Sequence, residues 1–441
     1  MDSTLDCISR DFGISFSEKR RWVDLRKSIS RSWQATRRLT RRSQTLPLTF
    51  GSTSRTSIPE RWRLPLELLE QIIDNLCFDI AALRCCALVC HALVYRARRY
   101  LFHTIVIREK NFTKFVFLIV QQPHIAGFVR DLYFEAGGDA FFDLQKQPTT
   151  IVRVFALVIA PRLPNVARLT VKDVPFTQEV VEMLDPSFPQ LYALSLFDCW
   201  FTCHSNLETL VKNHPRVHTL RCGRLCSLHR AESPDVDQSR APLQMRVLKV
   251  TEAYAPTPLT LMPWLLGHVQ PEKFTYTLYR LSQVAKLNQT ISGYASMRHL
   301  HIIFYHWRKG DTDAVIESPQ VMELTPHYPP NISTLTLDAK LHSLLLVVHV
   351  LARLDPHSFV RLQTVNIIAH VRTDEIEDIE YEAWAGMDQT LSVLLSLGEV
   401  NFTNSCQDPS HVEEGSAAIL ARLRVLAVRN MLSFVAEKPR E

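Results

Sequence analysis

Residues 189–196 read PQLYALSL, and the pattern of this stretch recurs along the chain. A proline is followed two positions later by an apolar residue. Three positions after that come a leucine, a polar residue and another apolar residue. The same order of residues occurs at 164–171, 215–222 and 330–337. Alternation of apolar and polar residues within each unit is typical of a half-buried strand. The sequence therefore predicts a series of short, related strands.

Similar units without the proline occur further along the chain. They centre on Leu132, Leu248, Leu300, Val365, Val400 and Leu426. Between the units, residues 178–185, 206–213 and 341–354 have the pattern of helices. A short strand followed by a helix, repeated along the chain, is typical of an α/β solenoid. A non-repetitive α/β domain is the alternative.

This pattern resembles the leucine-rich repeat. Residues 191–199 match its consensus most fully, with Leu191, Leu194, Leu196 and Cys199 at the defining positions. The other units lack the final asparagine or cysteine, and the chain has only 12 glycines in 441 residues. The resemblance implies an irregular, leucine-rich-repeat-like α/β solenoid over residues 104–441, which would bind a target protein.

Side chains at alternate strand positions point to opposite faces of a sheet, so one set faces away from the core. The residues that we expect on this outer face, as contacts for a target, are Arg168, Lys172, Arg221, Lys249, His299 and His301. For each of them the alternative is a solvated strand residue without a ligand.

Residues 63–103 precede the repeats and predict three short helices. Pro65 suits a first helical turn, and an apolar row follows at every fourth position. Asp79 is expected to cap the second helix, which is apolar on nearly all sides. The third helix is expected to direct Arg96, Arg98 and Arg99 outward.

These helices have more apolar surface than about 40 residues can bury among themselves. The surplus predicts docking onto another protein or onto the following domain. The alternative is that they are the first helices of one large core.

The same segment contains the pattern Leu64-Pro65 with Glu67, Ile72-Ile73 and Leu76, Leu83, Ala87-Leu88-Val89-Cys90 and Leu101-Phe102. By this pattern it resembles the F-box, most closely its fungal, basidiomycete-type form. In that family the module binds the Skp-type adaptor of a cullin–RING ubiquitin ligase. The positions that the resemblance assigns to adaptor binding are Leu64, Pro65, Leu68, Ile72, Leu76, Leu83 and Val89. One departure is Leu93, where many F-boxes have tryptophan.

The formal net charge of +5 is unevenly distributed. Residues 1–63 contain 14 Lys and Arg against 6 Asp and Glu, a net of +8, whereas the remainder contains 36 against 39, a net of −3. We expect residues 1–62 to be a basic tail that is largely disordered or partly helical. A nuclear-import signal and a contact with nucleic acid or anionic lipid are the functional alternatives.

The motifs of common enzyme classes are absent from the sequence. Neither a dinucleotide-binding G-x-G-x-x-G nor a P-loop occurs, and there is no G-x-S-x-G or H-E-x-x-H. The spacings Cys199–Cys203 and Cys222–Cys226 would permit zinc ligation, but their strand positions favour packing, so we predict neither a metal nor a cofactor. No apolar run reaches the roughly 18 residues of a membrane span, and no secretory signal is found, so we expect a cytoplasmic or nuclear protein.

Taken with these exclusions, the two resemblances imply a non-enzymatic function. The F-box would hold the adaptor of a Skp–cullin–F-box (SCF) ubiquitin ligase, and the repeats would hold a protein that the ligase modifies. Two alternatives remain open at this point. One is an interaction scaffold outside ubiquitination, in which the helices only cap the solenoid, and the other is a nucleic-acid-associated protein that acts through its basic tail.

Overall fold

A computed structural model of the chain describes residues 65–436, with gaps. The residues within that span that lie outside the description are 90, 138–149, 186, 228–242, 252–261, 280–282, 284–286, 288–289, 292, 306–330, 340–343, 353–358, 370–375, 377–378, 380, 395 and 405–408. From Leu66 onward the described residues belong to one compact unit. The predicted tail, residues 1–62, lies outside the described residues.

The described strands are, in chain order, β1 (Thr104–Arg108), β2 (Asp131–Glu135), β3 (Arg168–Lys172), β4 (Pro175–Phe176), β5 (Ala193–Phe197), β6 (Trp200–Phe201), β7 (Thr219–Gly223), β8 (Cys226–Ser227), β9 (Leu243–Thr251), β10 (Val269–Leu278), β11 (His299–Phe304), β12 (Thr334–Ala339), β13 (Thr364–Ala369), β14 (Glu399–Asn404) and β15 (Leu432–Ala436). Strands β4, β6 and β8 form a small parallel sheet, and the other twelve form one parallel sheet in which each strand lies beside the next in the chain. The fold class is therefore mixed α/β, as predicted.

The described helices are α1 (Leu66–Asn75), α2 (Ile80–Val89), α3 (His91–Leu101), α4 (Glu109–Gln121), α5 (Pro123–Ala126), α6 (Thr150–Val154), α7 (Gln178–Leu184), α8 (His204–Lys212), α9 (Met262–His268), α10 (Leu344–Ala352), α11 (Tyr381–Val393), α12 (Pro409–Arg422) and α13 (Arg424–Val428). A π-helical turn, Phe155–Ile159, and a 3₁₀ turn, Ala160–Arg162, follow α6. The three helices predicted between the strands are confirmed as α7, α8 and α10, with ends shifted by a few residues.

The leucines of the repeated units stand side by side across the sheet. In register, this row runs through Ile105, Leu132, Leu169, Leu194, Leu220, Leu248, Phe274, Leu300, Leu335, Val365, Val400 and Leu432. Every member is apolar, and only the two on the edge strands β1 and β15 are partly exposed. Together with the helices, this row forms the large core. The strand period of two therefore places the whole apolar set on one face.

The prediction of a strand unit centred on Leu426 is wrong. Leu426 lies in the short helix α13, and the row continues at Leu432 in β15. The buried carboxylate of Asp388 on α11 accepts the backbone N–H groups of Val425 at 2.8 Å and of Leu426 at 3.0 Å. A side chain distant in sequence thus caps this helix, because it satisfies N–H groups that have no partner within the helix.

Strands β1 and β10 of the large sheet, and the three strands of the small sheet, have no counterpart among the predicted units. In β10 the row position is Phe274, which follows Pro271, Glu272 and Lys273. Among the described residues, no helix combines the length and apolar character needed to cross a bilayer.

Candidate binding surfaces

Helices α1, α2 and α3 pack around a small apolar core of their own. Each supplies one buried side chain, namely Ile73, Leu83 and Ala97, all without exposed surface. Asp79 caps α2 as predicted, since its Oδ1 accepts the backbone N–H of Ala82 at 2.9 Å. This core is distinct from the one beneath the large sheet.

A polar network joins α1 to α3 beside the small core. Arg96 donates to both carboxylate oxygens of Asp74, at 2.8 Å from Nε and 2.6 Å from Nη2, and its Nη1 lies 3.4 Å from Glu70 Oε2. Tyr100 donates its hydroxyl to Asp74 Oδ1 at 2.8 Å. The hydrogen bonds from Arg96, and then from Tyr100, lower the pKa of Asp74 from 3.8 to about 2. The prediction that Arg96 points outward is therefore wrong, because its guanidinium binds acids on α1.

A narrow contact connects α3 to the sheet domain. The rings of Tyr95 and Phe128 meet edge to face with centroids 5.1 Å apart, and Arg98 Nη1 lies 3.4 Å from His124 Nε2. The carbonyl of His103 accepts two backbone N–H groups at the start of β2, at 2.9 and 3.0 Å. Even so, Tyr95 stays 68% exposed, so this contact covers only part of the apolar surplus of the helices.

Three of the residues assigned to adaptor binding lie at the surface of α1 or just before it. Pro65 is exposed, and Leu68 and Ile72, one helical turn apart, are 44% and 47% exposed. Since side chains four positions apart lie on one helix face, Leu68 and Ile72 form a short apolar stripe open to solvent.

The remaining assigned residues are placed differently. Leu76 is half-buried against the small core, whereas Leu83 is fully buried within it. Leu83 therefore supports the helices and offers no surface to a partner. Leu64 and the side chain of Val89 lie outside the described part of the chain. Leu93, the departure from the family pattern, is half-buried and packs against the small core.

Sequence reasoning missed most of the exposed apolar surface of this segment. Large exposed apolar side chains that were not assigned to adaptor binding are Leu66, Phe78, Ile80, Leu88 and Tyr95. Phe78, in the turn between α1 and α2, is 95% exposed, and Leu88 on α2 is 87% exposed. With Leu68 and Ile72 they make seven such residues within positions 66–95. Single exposed apolar residues are common, but this density on one small element makes the surface a candidate for contact with a partner.

The six residues predicted to contact a target all lie on the sheet face opposite the apolar row, which we call the polar face. They are Arg168 and Lys172 on β3, Arg221 on β7, Lys249 on β9, and His299 and His301 on β11. The register brings Arg221 directly beside Lys249. The pair on β3 is separated from β7 by strand β5.

On the polar face, the charged side chains of strands β1, β2 and β3 form salt bridges with one another. Arg168 Nε donates to Asp131 Oδ1 at 2.6 Å, and its second nitrogen pairs with the other carboxylate oxygen. Glu135 accepts from Lys172 Nζ and from Arg108 Nε, each at 2.9 Å. The hydrogen bond from Lys172 lowers the pKa of Glu135, and the one that Arg168 donates to Asp131 raises the pKa of Arg168. Arg168 and Lys172 are thus already engaged within the protein.

The cysteines considered as zinc ligands pack as ordinary side chains. Cys199 is buried, and its thiol donates to the carbonyl of Phe197 at 3.3 Å. Burial raises the pKa values of Cys199 and Cys222, which disfavours the thiolate that a metal would need. Within the part of the chain that the structure describes, no group of three or more His, Cys, Asp or Glu is arranged to hold a metal ion.

Comparison with known proteins adds no family. No protein-family model matches the chain, and no curated protein matches it. The interpretation below therefore rests on the geometry of the two surfaces and on the sequence resemblances described above.

Proposed function

We propose that this chain is the substrate-recognition subunit of a Skp–cullin–F-box ubiquitin ligase. In this proposal residues 63–103 are an F-box of fungal type, and residues 104–441 are an irregular, leucine-rich-repeat-like domain that binds the target. The observation that carries the proposal is the exposed apolar surface on α1 and α2, on helices that have their own small core.

The adaptor would cover this apolar surface. Phe78 and Leu88 are almost fully exposed, and burying such side chains contributes about 1.5–3 kcal/mol each. Leu68 and Ile72, about half exposed, would contribute roughly half as much each. Part of this gain is offset by the lost freedom of the two partners, so we expect a specific but reversible complex.

The sheet domain supports the target-binding half of the proposal. Twelve parallel strands in chain order and their in-register apolar row are what a repeat solenoid requires. The chain would act by position, because tethering a target beside the ligase raises its effective concentration at the site of ubiquitin transfer. This role needs neither a catalytic residue nor a cofactor, and it places the protein in the cytoplasm or the nucleus.

Co-purification with the Skp-type adaptor tests the proposal. Leu68→Asp/Ile72→Asp places two charges in the exposed stripe and is expected to abolish the complex. The matched control is Val360→Asp/Val428→Asp, since both residues are exposed apolar side chains of the sheet domain, at 69% and 84%. If the full-length Leu68→Asp/Ile72→Asp protein still co-purifies with the adaptor, the proposed site is wrong.

A second variant guards against misfolding of α1. Leu88 is 87% exposed and contributes little to the small core, so Leu88→Asp should leave the circular dichroism spectrum unchanged. We expect it to weaken adaptor binding while the helices stay folded. Normal adaptor binding by both Leu88→Asp and the α1 double variant would move the contact away from this surface.

The scaffold alternative is favoured by one observation, the packing of Tyr95 on Phe128. If the helices only cap the sheet domain, the wild-type chain will not co-purify with the adaptor. The nucleic-acid alternative rests on residues 1–62, outside the described residues. Salt-dependent nucleic-acid binding that disappears on deletion of residues 1–50 would favour it.

A further inference from the structure

The middle of the polar face has two exposed cations, Arg221 on β7 and Lys273 on β10. On β7, β9, β10 and β11 the side chains of this face include Arg221, Lys249 and Lys273, and no carboxylate occurs among the described residues of the face on these four strands. Arg221 and Lys273 are exposed, and their side chains have no hydrogen bond or ion pair with any described residue. We call Arg221 and Lys273 the basic patch.

The register places two further basic residues beside the patch. Arg221 stands beside Lys249, and Lys273 beside His299. Burial, and then the charge of Lys273, lowers the pKa of His299, which leaves this imidazole mainly neutral at neutral pH. An anionic group lying against the patch would therefore interact chiefly with Arg221 and Lys273, whose side chains are exposed.

The contrast with β2 and β3 shows that the sheet balances charges elsewhere. There Asp131 stands in register with Arg168, and Glu135 with Lys172, and both pairs form salt bridges. The polar face therefore has one region whose charges are satisfied internally and another in which Arg221 and Lys273 are exposed and have no partner among the described residues.

We propose that the basic patch binds an extended, acidic segment of the target protein. This inference rests on the target-binding half of the proposed function and adds the charge and spacing of the segment. Strands lie about 4.8 Å apart and residues rise about 3.3 Å along them, so the Cα atoms of Arg221 and Lys273 are about 12 Å apart. In an extended peptide, acidic residues four positions apart span about 13 Å and point to the same side.

A short acidic segment fits better than a nucleic acid. Residues 64–441 have a net charge of −3, from 36 basic and 39 acidic residues, so a long polyanion would meet repulsion beyond the patch. A peptide with two or three carboxylates contacts the patch alone. Its binding should weaken with added salt, because exposed charge pairs are screened within about 10 Å at 0.1 M ionic strength.

The test uses the full-length chain and a fluorescein-labelled peptide of about twelve residues, with glutamate at every fourth position among Gly and Ser. We expect saturable binding in fluorescence anisotropy, and none with the matching glutamine peptide. Arg221→Glu/Lys273→Glu should weaken binding about tenfold or more. The matched control is Lys110→Glu/Lys114→Glu, the same charge change at two exposed lysines of α4, which should stay within about twofold of wild type.

Three outcomes would overturn the inference. They are no saturable binding by the wild type, an equal loss in both charge-reversal variants, and tighter patch-dependent binding of a single-stranded oligonucleotide of equal charge. Arg221→Gln/Lys273→Gln, which removes charge without reversing it, keeps the test valid if the Glu variant misfolds. Adaptor co-purification with the same variants separates the two proposals, since peptide binding without any adaptor binding would refute the ligase role and leave the basic patch standing.

Discussion

Leu83 offers a direct test of whether the helices form a separate folding unit. Leu83→Ala removes one of the three fully buried side chains in the core of α1–α3. Such a substitution in a packed core costs about 3–5 kcal/mol. A segment of about 40 residues with one small core has little more stability than that. We therefore expect the three helices to unfold locally, while the sheet, which has its own core, stays folded.

Hydrogen exchange followed by mass spectrometry measures both parts at once. In Leu83→Ala we expect protection to fall strongly over residues 66–101 and to stay at the wild-type level in β5 and β7. Leu335→Ala is the control, because it removes an equally buried leucine from the large core and should lower protection in the sheet. An equal loss of protection in helices and sheet would refute the reasoning, since the two cores would then unfold as one cooperative unit.

Three further predictions concern single contacts. Asp388→Ala should destabilise by about 1–2 kcal/mol and speed hydrogen exchange over residues 424–436, because α13 loses the acceptor of its first N–H groups. The pKa of Asp74 is lowered from 3.8 to about 2, so its stabilising contribution is present above pH 3.8 and is lost as the pH falls towards 2. Asp74→Asn should remove this loss of stability in acid, which circular dichroism of the helices can measure. Gly223→Ala should destabilise by about 1–3 kcal/mol in thermal denaturation, since its Cβ would lie 2.8 Å from Phe197, whereas Gly267→Ala, with open space, should be neutral or slightly stabilising.

The strands were predictable because the evidence for them is local. In residues 189–196 and its related units, apolar and polar residues alternate, and this period alone assigns each side chain to a face. The same rule placed all six predicted target contacts on the polar face. It failed at β10, where Pro271, Glu272 and Lys273 interrupt the apolar pattern before Phe274.

Features that depend on distant partners were not predictable in this way. The helix around Leu426 depends on Asp388, 38 positions earlier, and the orientation of Arg96 depends on Asp74, 22 positions earlier. The register between strands decides which basic residues of the polar face lie beside a carboxylate. That register cannot be read from the local sequence pattern. The alternation of strand residues assigns Arg168 and Arg221 to the same face without distinguishing them, whereas the structure places only Arg168 beside a carboxylate.

The two surfaces differ in the physical interaction that each can offer, and this difference bears on the function. On α1 and α2 the unsatisfied groups are apolar, so a partner must bury them, and the gain depends weakly on salt. In the basic patch the groups are the charged, exposed side chains of Arg221 and Lys273, so a partner must supply opposite charge, and the gain is modest and falls with salt. A receptor that stays with its ligase while it exchanges targets needs this combination, one salt-resistant contact and one weaker contact. We therefore expect raised salt to release the acidic segment at concentrations that leave the adaptor bound, and the reverse order would argue against this division between the two surfaces.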